Sequence, residues 1–121
     1  MEETIRDLGI PVFGPDFRVR VNEDFEIESR LLESKQVPFA SLSAGAREQL
    51  SVLGRLAAAI LVAEEEGAPL MLDDTLGFSD PGRLEALGMV LSEAGPKAQV
   101  VVLTCQPDRY SAVAASKTVK I

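Results

Sequence analysis

Two short apolar runs, Pro69-Leu70-Met71-Leu72 and Gln99 to Leu103, flank a helix-length stretch that opens at Asp80-Pro81 and ends near Ala94, before Gly95-Pro96. That spacing leaves few folds open. Short apolar runs bounded by breakers read as buried strands. Aspartate followed by proline reads as an N-cap and the first helical position. Strand, helix, strand implies a parallel sheet, and parallel sheets place their sites at the carboxyl ends of the strands. Asp73-Asp74 follow the first run and Thr104-Cys105-Gln106 the second, so the spacing alone predicts that they converge. Pro107 is expected to open a short helix to about Ala115, and Lys117 to Ile121 to form a last strand.

Upstream, Leu50, Leu53, Leu56, Ala57, Ile60 and Leu61 recur at i, i+3, i+4. They predict a long amphipathic helix over 46–66, with Ser41 and Ser43 as N-cap candidates and Gly67 as its stop. Before it, Phe17, Val19 and Val21 alternate with Arg18 and Arg20, and Phe25 and Ile27 alternate with Glu26 and Glu28. With Asn22-Glu23-Asp24 between them, these runs predict a hairpin whose Arg and Glu rows pair on a wet face. Residues 32–40 are expected to form a loop. Residues 1–10 are helix-prone, and Gly9, Pro11 and Gly14-Pro15 are expected to end that helix. The reading is one domain of 121 residues: a linker or coiled-coil return over 1–16, a hairpin and loop over 17–41, and an α/β lobe over 42–121.

Composition excludes several classes. The formal net charge is −7, with no basic stripe of the kind that grips a nucleic-acid backbone. The single cysteine, Cys105, makes no internal disulfide, and without histidine it makes no zinc site. The acidic start Met1-Glu2-Glu3 is not expected to act as a secretory leader, and no apolar run reaches the roughly 20 residues of a membrane helix. The expected location is the reducing cytoplasm, with no membrane partner.

Three groups carry candidate chemistry. Leu42-Ser43-Ala44-Gly45 lies at a predicted helix start, where unpaired N–H groups and the positive dipole end attract anions. Gly45 permits close approach and Ser43 adds a hydroxyl, although the same residues also make an ordinary capped helix. Asp73 offers the oxygen ligand that Mg²⁺ takes alongside waters, and Asp74 a carboxylate to orient an attacking water. Gln106 has no titratable proton but positions a water or donates to a phosphate.

The ordered combination resembles the C-terminal lobe of ABC-class ATPase heads. Leu42 to Leu50 resembles the signature loop, and Asp73-Asp74-Thr75-Leu76-Gly77-Phe78-Ser79-Asp80 aligns without gaps with the family's Walker B and D-loop. The long signature helix with Arg47, Glu48 and Gln49 looks most like the SMC-related branch of DNA repair and chromosome maintenance. That resemblance implies a P-loop NTPase lobe: parallel strands with flanking helices, plus an N-terminal hairpin. It implies ATP and Mg²⁺ as cofactors and a head–head dimer as the working unit. DNA is reached only through the full assembly. Ser43, Ala44 and Gly45 would meet the γ-phosphate on a partner head, Asp73 would match the Mg²⁺ aspartate, and Asp80 the D-loop aspartate. Asp74 stands where a catalytic glutamate is usual and Gln106 where a switch histidine is usual.

No phosphate loop is present: Gly9 to Gly14 has no following Lys-Ser or Lys-Thr. The expectation is therefore an excised or split lobe, inactive until a Walker A lobe completes it. The alternative is an ATP-dependent clamp in which Asp74 and Gln106 no longer support hydrolysis. A phospho-receiver domain is disfavoured, because its third strand-end aspartate is absent.

Overall fold

The computed structural model describes residues 1–63, 69–73, 81–104, 106–110 and 112–113. The chain is mixed α/β. Helix α1 (Glu2–Phe13) leads into an antiparallel sheet of β1 (Val19–Val21), β2 (Ile27–Leu32) and β3 (Lys35–Pro38). A 3₁₀ turn at Phe39–Ser41 precedes α2 (Ala44–Ala63). Then come β4 (Leu70–Asp73), α3 (Pro81–Ala94), β5 (Val100–Leu103) and a 3₁₀ turn at Pro107–Tyr110. The strands β4 and β5 pair in parallel, Leu70 with Val100 through Asp73 with Leu103. The strand–helix–strand reading of 69–103 thus holds. The expected final strand at 117–121, the Gly67 stop and Cys105 lie outside the described residues, and the helix from Pro107 is described only as its 3₁₀ turn.

Helix α2 supplies the centre of the core. Leu50, Leu53, Leu56 and Ala57 are fully buried, joined by Ile5, Phe17, Leu72, Leu87 and Val90. Each buried leucine contributes about 2 kcal/mol of transfer free energy. Residues 1–16 hold α1, which passes through Gly9 and Pro11 rather than ending there. Packing explains the difference: α1 buries Ile5 and Gly9 against the rest, and the gain outweighs poor local propensity. The helix ends at Gly14, whose φ of 102° suits glycine and whose N–H donates to the Ile10 carbonyl at 2.8 Å.

The hairpin differs from expectation in three places. Phe25 does not face the core; it sits in the turn at φ 63° and is 69% exposed. Asn22 builds that turn, its Oδ1 accepting from the N–H groups of Asp24 and Glu26. Residues 32–40 are not an open loop: β3 returns along β2 through a two-residue turn with Glu33 and Ser34 at φ 47° and 67°. Both central residues have the positive φ of a type I′ turn. Finally, a bulge between Arg20 and Val21 makes Val21 pair with Ile27 while Val19 pairs with Arg30. Cross-strand partners share a face, so Arg30 joins Val19 on the core side instead of a wet charged row. Arg18 donates to the carbonyls of Pro15 and Phe17 at 3.3 and 2.6 Å.

Candidate functional site

Ser43 caps α2. Its Oγ accepts from the Ala46 N–H at 3.2 Å and its carbonyl from the Arg47 N–H at 2.9 Å. This arrangement satisfies an orphan donor of the first turn and leaves the hydroxyl proton free to donate outward. Ser43 and Ala44 are exposed and Gly45 is half-buried, while Ala46 is buried beneath them. The small residues thus separate into an accessible rim and a packed floor.

Asp73 ends β4 with its side chain exposed. The desolvation that a buried strand end would impose therefore does not apply to it. Its register partner Leu103 ends β5, and Thr104 follows directly. Thr104 Oγ1 accepts from the Gln106 N–H at 2.9 Å, turning the chain sharply after β5 and leaving the Gln106 side chain exposed. Asp73, Thr104 and Gln106 therefore stand at adjacent carboxyl ends, as the spacing predicted. Asp74 and Asp80 lie outside the described residues. Among the described residues no group of three acidic, histidine or cysteine side chains gathers to hold a metal.

The signature-like loop belongs to a separate element, α2. Arg55 of α2 hydrogen-bonds the Met71 carbonyl of β4. Ala58, Ala59 and Val62 line an open groove with Pro69 and Leu70. The helix and strand therefore run in opposite directions. From Arg55 back to Ser43 is about 18 Å of helix, whereas Met71 to Asp73 is about 7 Å of strand. Counted along the two elements from that contact, Ser43 lies farther from it than Asp73 does.

Sequence reasoning missed the link between α2 and α3. Gln49 is only 1% exposed, and its Oε1 accepts from Arg83 Nη1 at 3.0 Å. A polar residue inside the apolar stripe of α2 was the available signal, because such a residue needs a buried partner. Arg83 also lies over Phe13, as does Arg30.

Among the described residues β4 and β5 pair only with each other. Met71 and Leu103, on the face away from Leu72, are 51% and 40% exposed. Parallel sheets ordinarily bury both faces. No helix among the described residues is long and apolar enough to cross a membrane.

No protein-family model matches the chain. It is similar to an uncharacterized protein of Mycobacterium bovis, 53% identical over 106 residues. Uncharacterized proteins of two Mycobacterium tuberculosis strains, CDC 1551 / Oshkosh and H37Rv, match with the same identity over the same length. The match covers 88% of this chain but 12% of each relative. The chain spans about an eighth of the length of these relatives, and 106 residues at 12% puts each of them near 900 residues.

Proposed function

We propose that this chain is the C-terminal lobe of an ABC-class ATPase head of the SMC-like kind, serving DNA repair or chromosome maintenance. The observation that carries the reading is geometric. Asp73, Thr104 and Gln106 share one end of a parallel strand pair, while Ser43 caps the start of α2, which is tied to that pair through Arg55 and Met71. Such an arrangement suits two half-sites. The strand ends serve the nucleotide of the chain's own head, with Asp73 holding Mg²⁺ through water. Ser43, Ala44 and Gly45 meet the phosphates held by a second head.

Two further facts support the proposal. The parallel pair exposes Met71 and Leu103 where a completing lobe would pack. Relatives near 900 residues leave ample length for a phosphate loop and a long coil. In this reading ATP binds across a head–head dimer. Asp74 orients the attacking water, Gln106 contacts the γ-phosphate, and Asp80 lines the dimer interface. DNA is engaged by the assembly, because a lobe of net charge −7 attracts it poorly.

Calorimetric titration of the isolated chain with Mg-ATP tests the division of labour. The expected outcome is weak binding and no turnover. Micromolar affinity or hydrolysis by the chain alone contradicts the proposal.

A further inference from the structure

Phe25 suits neither a tight turn nor a wet surface, yet the chain fixes it in both. Its φ of 63° is a conformation that glycine and asparagine take readily and bulky side chains rarely do. Asn22 makes the turn rigid. Its Oδ1 accepts from the N–H groups of Asp24 and Glu26, its own N–H donates to the Glu26 carbonyl at 2.9 Å, and its carbonyl accepts from the Phe25 N–H at 3.1 Å. The Phe25 ring is exposed and belongs neither to the core nor to the apolar residues packed on it. No gain in the chain's own packing offsets the strained backbone. A rigidly presented aromatic makes a strong interface anchor, because docking it costs little conformational freedom.

A receptacle for that ring lies on the same molecule. Ala58, Ala59 and Val62 of α2 face Pro69 and Leu70 across an open groove of about 260 Å³. Arg55 is the one charged side chain among its described lining residues. Groove and turn are neighbours. Ser29 pairs with Pro38, next to the 3₁₀ turn that leads into α2, and Ile27 lies over Gly54, where a Cβ would sit 3.5 Å from its Cδ1. Traced back from Ser29 through Ile27 to Phe25, the hairpin therefore runs along α2 toward its C-terminal turns. Ala58 follows Gly54 by one helical turn on the same face. The charges of the two features are opposite. Glu23, Asp24 and Glu26 flank Phe25 and are all exposed, whereas the groove carries the exposed Arg55.

We infer that two copies of this chain pair through this face, each Phe25 entering the α2–β4 groove of the other copy with Glu26 facing Arg55. A knob and a groove set side by side make a self-complementary surface, so the same face pairs with itself about a two-fold axis and the assembly closes at two. Arg55 already donates to the Met71 carbonyl, and a guanidinium has further N–H donors to offer Glu26. Pairing removes both aromatic rings from water, which supplies the main driving force. The contact uses neither Ser43 nor the Asp73 strand end, so it requires no nucleotide and does not rest on the ATPase reading.

Sedimentation equilibrium of the 121-residue chain without nucleotide tests the pairing. Salt of about 0.15 M screens the net charge of −7 on each copy beyond about 8 Å. Between roughly 10 µM and 1 mM, the range of small interfaces, the mass is expected to rise from one copy to two and stop there. Phe25→Asn should raise the dissociation constant about tenfold or more, and it keeps the fold because asparagine suits that φ. Val62→Glu, at an exposed position on the groove, should do the same with the Phe25 turn intact. Leu32→Asn, at an exposed apolar residue beside the other hairpin turn, should leave the dimer unchanged. A chain that stays single at about 1 mM overturns the proposal. So does a dimer indifferent to Phe25→Asn, one weakened as much by Leu32→Asn, or a mass that grows past two copies. Association that appears only with Mg-ATP also overturns it, and such a result belongs to the head–head contact instead. Failure here leaves the ATP titration of the isolated chain unaffected.

Discussion

Gly9 and Gly54 lie inside helices of this chain, and the structure gives alanine substitutions at the two positions opposite signs. A Cβ built at Gly9 of α1 would lie 2.2, 2.6 and 2.9 Å from three ring carbons of Phe17. Ordinary contact begins near 3.4 Å, so the ring must retreat by more than 1 Å. Phe17 is 2% exposed and stacked on Phe13, which leaves it nowhere to go. Overpacking of that kind costs about 1–3 kcal/mol, and the helix-propensity gain of alanine over glycine returns about 1 kcal/mol. A retreat of more than 1 Å puts the cost in the upper part of that range, so Gly9→Ala should destabilise the chain by about 1–2 kcal/mol. At Gly54 of α2 the nearest atom is Ile27 Cδ1 at 3.5 Å, an ordinary contact. Gly54→Ala should keep the propensity gain and stabilise by about 0.5–1 kcal/mol. Urea unfolding followed by circular dichroism reads both midpoints. Gly9→Ala combined with Phe17→Leu should recover part of the loss. A Gly9→Ala protein as stable as the parent would refute the close approach of α1 to Phe17.

Other substitutions separate the remaining claims. Ser43→Ala removes the α2 cap and should cost about 1 kcal/mol in the same unfolding assay. Gln49→Leu takes one acceptor from Arg83 and should cost about 1–3 kcal/mol, because a part-buried guanidinium loses that hydrogen bond. Arg30→Met should leave the urea midpoint unchanged or raised, since removing a desolvated cation offsets the lost ring contact. The sign of the pH dependence follows from the lowered pKa. The unfolded chain holds the Arg30 proton to higher pH than the folded one, so this group's contribution to stability improves only in strongly alkaline solution. Around neutrality the stability difference between Arg30→Met and the parent should therefore be flat with pH.

Where local chemistry and burial agreed, the sequence was a sufficient guide. The β4–α3–β5 unit was legible from valine-rich runs and proline breakers, and α2 from its leucine spacing and Ser43. The convergence of Asp73 with Thr104 and Gln106 followed from the same periodicity. The second hairpin was hidden because Glu33 and Ser34, rather than Asn-Gly, occupy its positive-φ turn. Helix α1 continued through Gly9 and Pro11 because contact with Phe17, distant in pattern though near in sequence, decided the matter. The inward placement of Arg30 was illegible for a sharper reason. One bulge between Arg20 and Val21 slips the register, and a one-residue slip moves a side chain to the opposite face. The Gln49–Arg83 pair joins positions 34 apart, a separation that no local rule spans.

The account turns on whether the Ser43 loop and the Asp73-Asp74 strand end serve ATP once a phosphate-loop lobe is supplied. The most direct measurement is steady-state ATPase activity of a head assembled from this chain and such a lobe, compared with the same head carrying Asp74→Asn. The account predicts turnover in the assembled head, none in either part alone, and its loss in Asp74→Asn with ATP binding retained. An assembled head that binds no ATP, or one whose turnover is indifferent to Asp74, contradicts it.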